Sequence, residues 1–346
     1  MKKLSLWHFY LSKILMLAYF SKISVHGKQS KHPTLYIVSH RNGATDGQVY
    51  TFALGRVPSL ISIQLLRKWF LALMFDGIPV IRPKDAEKFK LPKNSIQSPT
   101  EAAIEQIKLG GSICVMPEGT SEWGYKPEAY QLGMAKIIAE LQEQKIDCVV
   151  QALGIFYTKP NGFRSRVSVV FGEVFEPLKA SQQEIFLELS QQLDHVSVNC
   201  SSIEQFNTVQ ALAWHDLNKQ HKDYGQTFLT KQNMQLKHSE LLENQLENQL
   251  EIHKNQFYKI QLKIAQLFLW IGAFPTLLFA LIAEKKGADG KNNVTFFRIL
   301  GGFYGSIFTV LYWCILAFWS LKLLSVLIVL TIVGWYFYPE PYPEKL

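Results

Sequence analysis

Residues 264–283 run for 20 positions without a charged side chain, and residues 299–338 run for 40 with only Lys322 charged. As a helix at about 1.5 Å per residue, the first stretch is about 30 Å long, the thickness of a bilayer hydrocarbon core. The second reaches about 60 Å, twice that thickness, so it divides into two legs turning near Ser320–Lys322. Pro275 sits mid-stretch and predicts a kink or a re-entrant hairpin. Gly301, Gly302 and Gly305 permit close helix approach, and Trp335, Tyr336, Tyr338 and Tyr342 form an interfacial belt. Lys254, Lys259 and Lys263 precede the first stretch, while Lys285, Lys286, Lys291 and Arg298 follow it. Both flanks thus carry the cytoplasmic signature, which favours a hairpin at Pro275 over a single crossing. The competing reading is a buried apolar helix pair in a soluble protein. Weighed together, these features predict an integral membrane protein whose remaining domain faces the cytoplasm.

The other residues have a different character. With 48% apolar and 18% charged residues over 346 positions, the chain is not intrinsically disordered and can bury a sizeable core. Its charge is lopsided: residues 1–99 hold 15 Lys and Arg against 4 Asp and Glu, although the whole chain is only +8. A basic N-terminal third calls for an anionic partner. Cys114, Cys148, Cys200 and Cys314 form no CxxC and lie in apolar runs, which suits a reducing compartment and argues against a disulfide framework or zinc site. The nine histidines show no ligand spacing with Cys, Asp or Glu, so no metal is expected.

Four segments follow. Residues 1–29 contain a helix mixing Leu6, Trp7, Tyr10, Ile14 and Leu17 with lysines, read either as a membrane-surface helix or as a helix packed on the domain. Residues 30–178 alternate apolar strands (34–39, 77–82, 112–116, 148–157, 167–171) with helices near 46–55, 64–75, 99–109 and 128–144, which predicts a mixed α/β sheet flanked by helices. Ser98-Pro99-Thr100-Glu101 is a capping box with proline at the first helical position, and Gly110-Gly111 closes that helix. Residues 179–262 form a polar helical connector in which a four-residue repeat aligns Leu242, Leu246 and Leu250. Residues 263–346 are the hydrophobic membrane-anchoring region.

Three short motifs carry chemistry. In Ser39-His40-Arg41-Asn42-Gly43-Ala44-Thr45-Asp46 a strand ends at His40 and a glycine turn leads into a helix. That geometry can fold the Asp46 carboxylate onto the imidazole, fixing one ring nitrogen and leaving the other to take a proton. No Ser or Cys accompanies the pair, so the nucleophile would be a substrate hydroxyl; alone, the motif is also compatible with a structural turn. Met116-Pro117-Glu118-Gly119-Thr120-Ser121 is a second strand-to-turn passage, suited to an anion or polyol, or merely a connection. In Ile81-Arg82-Pro83-Lys84-Asp85, Arg82 and Lys84 suit a phosphate, or form a solvated charge pair.

In order and spacing these motifs resemble the phospholipid/glycerol acyltransferase family of glycerol-3-phosphate and lysophosphatidate acyltransferases. His40 and Asp46 match the first motif, Arg82 the second, and Pro117, Glu118, Gly119 and Thr120 the third; Gln151-Ala152-Leu153-Gly154-Ile155 matches the fourth loosely. Two departures stand out: Ser121 replaces the usual Arg after the third motif, and Ala152 replaces a proline. The resemblance implies membrane-bound transfer of a fatty acyl group to a phosphorylated glycerol acceptor in phospholipid biosynthesis. The donor would be acyl-CoA or acyl-carrier protein, a co-substrate and not a bound cofactor. It implies His40 and Asp46 as the catalytic pair, with Arg82, Lys84, Asn42, Glu118, Gly119 and Thr120 binding substrate and Arg164 or Arg166 supplying the missing phosphate contact. The basic third then faces lipid phosphates and the acidic donor; no helix-turn-helix, zinc finger or RNA-binding signature points to nucleic acid. A hydrolase or transacylase on another lysolipid, and a catalytically silent membrane scaffold, are the rival readings.

Overall fold

The computed structural model describes residues 1–81, 97–234 and 256–346. Chain order begins with α1 (Leu6–Tyr19), β1 (Lys22–His26), β2 (Thr34–Val38), α2 (Ala44–Leu54), β3 (Leu60–Ser62), two single helical turns α3 (Ile63–Leu66) and α4 (Trp69–Ala72), and β4 (Ile78–Val80). It continues through α5 (Pro99–Lys108), β5 (Ile113–Val115), α6 (Gly133–Glu143), β6 (Val149–Tyr157) and β7 (Arg166–Phe175). Helices α7 (Gln182–Val196), α8 (Ile203–Gln220), α9 (Tyr224–Asn233), α10 (Gln256–Gly287), α11 (Lys291–Trp319) and α12 (Leu321–Phe337) complete it.

The main sheet has the order β1-β7-β6-β2-β5, parallel throughout except for the antiparallel β6–β7 pair. This is the mixed α/β architecture expected. β2 sits inside the sheet with every residue buried, and its alternation divides the core. Leu35 and Ile37 face α5, α6 and α7, where Ile104, Ile138, Ile185 and Leu189 meet them. Tyr36 and Val38 face α1, α2 and the start of α11, through Met16, Val49, Phe296 and Leu300. α5 starts with the capping box: Ser98 Oγ accepts from Glu101 N, and Glu101 returns the bond to Ser98 N.

Three local expectations differ from what forms. The segment read as one helix over 64–75 breaks into α3 and α4. Residues 22–26, read as the tail of the N-terminal helix, are strand β1, held by parallel pairing with β7. The helices read as a polar connector belong to the domain: α7 buries Ile185, Leu189 and Leu193 against the sheet, while α8 and α9 bury Phe206, Val209 and Phe228 in a satellite core. Their polarity lies on the solvated faces, an amphipathic pattern that composition alone averages away. The leucine repeat at 242–250 falls outside the described residues.

The C-terminal region turns twice. α10 carries a non-helical residue, Ala273 (φ −132°, ψ 32°), next to Pro275. Proline has no N–H, so the ladder opens there. Two freed backbone groups find partners on α11: Thr276 N donates to Thr309 Oγ1 (3.1 Å), and Gly272 O accepts from Trp313 Nε1 (2.8 Å). The second half of α10 packs antiparallel to α11, with Gly301 and Gly305 against Phe279 and Pro275. Its first half packs antiparallel to α12, with Gly334 against Ala265 and Leu327 against Gly272. α11 and α12 are joined by the single extended residue Ser320, the turn expected at 320–322.

Candidate functional site

β2 and β5 are parallel neighbours, so their C-terminal ends deliver His40 and Glu118 side by side. Open α/β sheets place ligands at this edge. Gly43 (φ 52°) turns the chain out of β2, in a left-handed conformation that glycine adopts without steric cost, and α2 begins at once. Asp46, in the first turn of α2, is thereby carried back beneath the strand end. Gly119 (φ 68°) plays the same part after β5.

Asp46 is fully buried and saturated with donors. Oδ2 accepts from His40 Nδ1 (2.9 Å), Arg41 N (2.6 Å) and Asn42 N (2.7 Å), and Oδ1 accepts from Tyr157 Oη (2.5 Å). Such a carboxylate is pinned in place, and it fixes the His40 tautomer with the proton on Nδ1. Nε2 is then the nitrogen available for proton transfer, on a ring that lines the main cavity. Glu118 braces the backbone at the same point: Oε1 accepts from His40 N (2.7 Å) and Oε2 from Glu128 N (3.1 Å). Burial pushes its carboxyl above the ordinary range, opposed by those two backbone donors and by His40 and Arg41. Burial likewise drives the Tyr157 hydroxyl well up, reinforced by the Asp46 charge, so it stays a neutral donor.

The cavity has a volume of about 1530 Å³. Its polar end holds His40, Gly43, Glu118, Gly119, Thr120 and Ser121. An apolar arm follows Leu60, Ile61, Leu65, Met74, Phe75 and Val80, and Leu4 together with His8 and Ser12 of α1 also lines the cavity. Part of the wall comes from far along the chain: Asp289–Asn293, in the link to α11 and its first turn, also line the cavity. Asn292 Nδ2 donates to Ser121 Oγ (2.9 Å) and also to Ser121 O. Asn293 lies so close to Gly43 that a Cβ there would stand 2.4 Å from Asn293 Oδ1.

The structure therefore brings together His40, Asp46, Glu118, Gly119 and Thr120. Asn42 is buried beside them but turns its amide to Pro160 O (3.0 Å), bracing the turn from below the cavity. Arg82 and Lys84 lie outside the described residues. Arg164 and Arg166 do not reach the cavity wall: Arg166 pairs with Glu340 (2.6 Å), and Arg164 lies over the Trp335 ring (4.1 Å). Both are taken up in seating the C-terminal helices. In the loose fourth motif, Gly154 serves packing, because a Cβ there would stand 1.7 Å from Val196 O. Among the described residues, no group of three or more His, Cys, Asp or Glu is placed to hold a metal ion. Sequence reasoning missed Tyr157, whose only signal is a hydroxyl at the end of an apolar strand, and the Lys291-Asn292-Asn293 corner, a polar run at the mouth of an apolar helix.

No protein-family model and no curated protein matches the chain. Among solved structures, it is similar to the crystal structure of the 1-acyl-sn-glycerophosphate (LPA) acyltransferase PlsC from Thermotoga maritima. The likeness has a TM-score of 0.37 at 16% identity, over 55% of this chain and 78% of that one.

Proposed function

We propose that this chain is a membrane-bound O-acyltransferase that moves a fatty acyl group from an acyl thioester to the hydroxyl of a phosphorylated glycerol acceptor, glycerol-3-phosphate or lysophosphatidate. The observation that carries this reading is the His40 ring, held through Nδ1 by the buried Asp46 at the polar end of a cavity whose other arm is apolar. His40 Nε2 takes the proton from the acceptor hydroxyl as its oxygen attacks the thioester carbonyl. The C–S bond then breaks, and the departing thiolate receives that proton from His40. A substrate hydroxyl as nucleophile fits a pair whose imidazole makes no hydrogen bond to a Ser or Cys among the described residues.

The acceptor phosphate needs a cation. Lys291 is the one Lys or Arg among the described residues that line the cavity, and Glu344 holds it at 3.0 Å. Its neighbour Asn292 donates to Ser121, where the resembling family carries arginine, and Lys291 takes that role alongside Arg82. The catalytic domain and both lysine-bearing flanks of α10 face the cytoplasm in this reading.

The test is acyl transfer by membranes expressing the full chain, assayed with a panel of acceptors. His40→Ala should lower turnover by about 10²–10⁴-fold with its unfolding temperature unchanged. Lys291→Ala should raise KM for phosphorylated acceptors by roughly tenfold and leave neutral ones unaffected. Full transfer by His40→Ala would overturn the assignment. Fatty acid release that ignores the acceptor would identify a thioester hydrolase, and no His40-dependent chemistry at all would leave a membrane scaffold.

A further inference from the structure

The ends of the C-terminal helices all return to one place. At the start of α10, Tyr258 Oη donates to Glu340 O (3.4 Å) and Gln261 Nε2 to Phe337 O (2.8 Å). At its end, Glu284 pairs with Arg298 (2.7 Å), whose Nη1 donates to Asn161 O (2.7 Å). The end of α12 meets the same domain loop: Tyr338 packs on Phe163 with ring centroids 4.9 Å apart, and Trp335 covers Arg164. One loop, 159–166, thus touches the bases of α11 and α12, while the starts and ends of α10 are tied to those bases. The bend at Ala273 and the turn at Ser320 lie at the other end of the bundle, where Trp313 reaches Gly272.

The outer surface of this bundle is apolar and uncovered. Phe318 is 92% exposed, Trp319 80% and Leu321 71%, all beside the Ser320 turn. Exposed apolar surface on this scale is excluded from water in a stable protein. The occupant that fits is lipid, on three grounds. α12 has 17 residues and is about 26 Å long, close to the roughly 30 Å of a hydrocarbon core. Lysines (Lys259, Lys263, Lys285, Lys286) and aromatic rings (Trp335, Tyr336, Tyr338) gather at the base, where phosphates and the interface would lie. The base also continues into α1, since Trp335 Nε1 donates to Ala18 O (2.7 Å), and α1 exposes Leu6, Trp7, Tyr10, Ile14 and Leu17 along one stripe.

We propose that the C-terminal helices enter the bilayer from one side as two re-entrant hairpins, bent at Ala273 and at Ser320, with α1 lying in the same interface. Both ends of α10 then stay on the side of the catalytic domain, and the 32-residue helix never carries the chain across. This rests on the membrane-bound part of the proposed function, but it concerns sidedness and not catalysis.

The test is labelling of single-cysteine additions in sealed membrane vesicles by a membrane-impermeant maleimide. Wild-type protein, with its four native cysteines, sets the background. Lys259→Cys and Lys286→Cys flank α10, both at exposed positions, and Ser201→Cys marks the catalytic domain. All three should label from the same side, and Ser320→Cys should not label from that side. If either lysine position proves poorly tolerated, Lys263→Cys and Lys285→Cys report the same two flanks. Labelling of positions 259 and 286 from opposite sides would overturn the hairpin at Ala273. Labelling of position 320 from the domain side would overturn insertion altogether and point to a protein partner covering the bundle. Because acyl transfer is not the readout, a loss of activity in any variant leaves the sidedness result standing, and the reverse holds too.

Discussion

On the proposed membrane-bound reading, the α/β domain and the C-terminal bundle solve the same packing problem for two different solvents. In the domain, apolar side chains such as Tyr36, Leu153 and Ile155 are inside, and the carboxylate that enters the core beside them is saturated: Asp46 collects four donors. In the bundle, the large apolar groups face outward, and helix contacts are made through Gly301, Gly305, Gly272 and Gly334. The polar contacts there are few and repair a broken helix, as Thr309 and Trp313 do at Pro275. The contrast shows why burial alone is a poor guide in such a chain. In the domain, stability follows from apolar area removed from water; in the bundle it follows from closeness of backbones.

Three substitutions would break or sharpen that contrast. The largest effect is expected at Gly305→Leu. A Cβ there already stands 2.8 Å from Phe279 Cβ and 2.9 Å from Pro275 O, so a bulky side chain must push α10 and α11 apart. Destabilisation of roughly 3 kcal/mol follows, measured by thermal unfolding in detergent; an unchanged midpoint would mean the glycine contacts do not hold the bundle.

A middling effect is expected in the domain. Tyr157→Phe removes one of four donors to Asp46 and should cost about 1.5–2 kcal/mol. It should also lower kcat more than it raises KM, because it loosens the carboxylate that orients His40 without touching the substrate.

The smallest effect belongs to the surface tie at the N-terminus. Asp76 accepts from Lys2 Nζ (2.8 Å) and Ser5 N (2.9 Å). Burial raises its carboxyl, but the Lys2 and Ser5 bonds outweigh that, and the folded value lies below the ordinary one. A depressed carboxylate stabilises the fold above its unfolded pKa and loses that contribution as pH falls through the folded value. Asp76→Asn should thus cost about 0.5–1 kcal/mol at pH 7, and the gap to wild type should narrow in equilibrium unfolding as acidification carries the solution below the ordinary carboxylate range.

Much of this was legible in the chain. The capping box at Ser98–Glu101 is local chemistry, and it forms as written. The strand-turn-helix passage through His40 also announces itself, because a glycine turn after an apolar strand leaves few ways to place Asp46. Strand β1 was not legible: Lys22–His26 lacks a strong strand pattern and is ordered by its partner β7, 144 residues away. The same holds for α3 and α4, the two short helices that connect the parallel pair β3 and β4. In the cavity, the residues on the two motif-bearing turns, His40 to Asp46 and Glu118 to Thr120, stand out in the sequence, and those without a local motif, Tyr157 and Asn292, do not.

One consequence concerns how this chain can be cut. Asn292 and Asn293 are in the first turn of a helix that ends at the far end of the bundle, yet they form part of the wall of the cavity that holds His40. A soluble fragment ending before α10 would keep its sheet, its histidine and its carboxylates, but one side of its reaction chamber would stand open to bulk water. On the proposed function, anchor and catalyst are in that sense a single part. Exchanging the tail for another protein's membrane segment would change the shape of the substrate site along with the address.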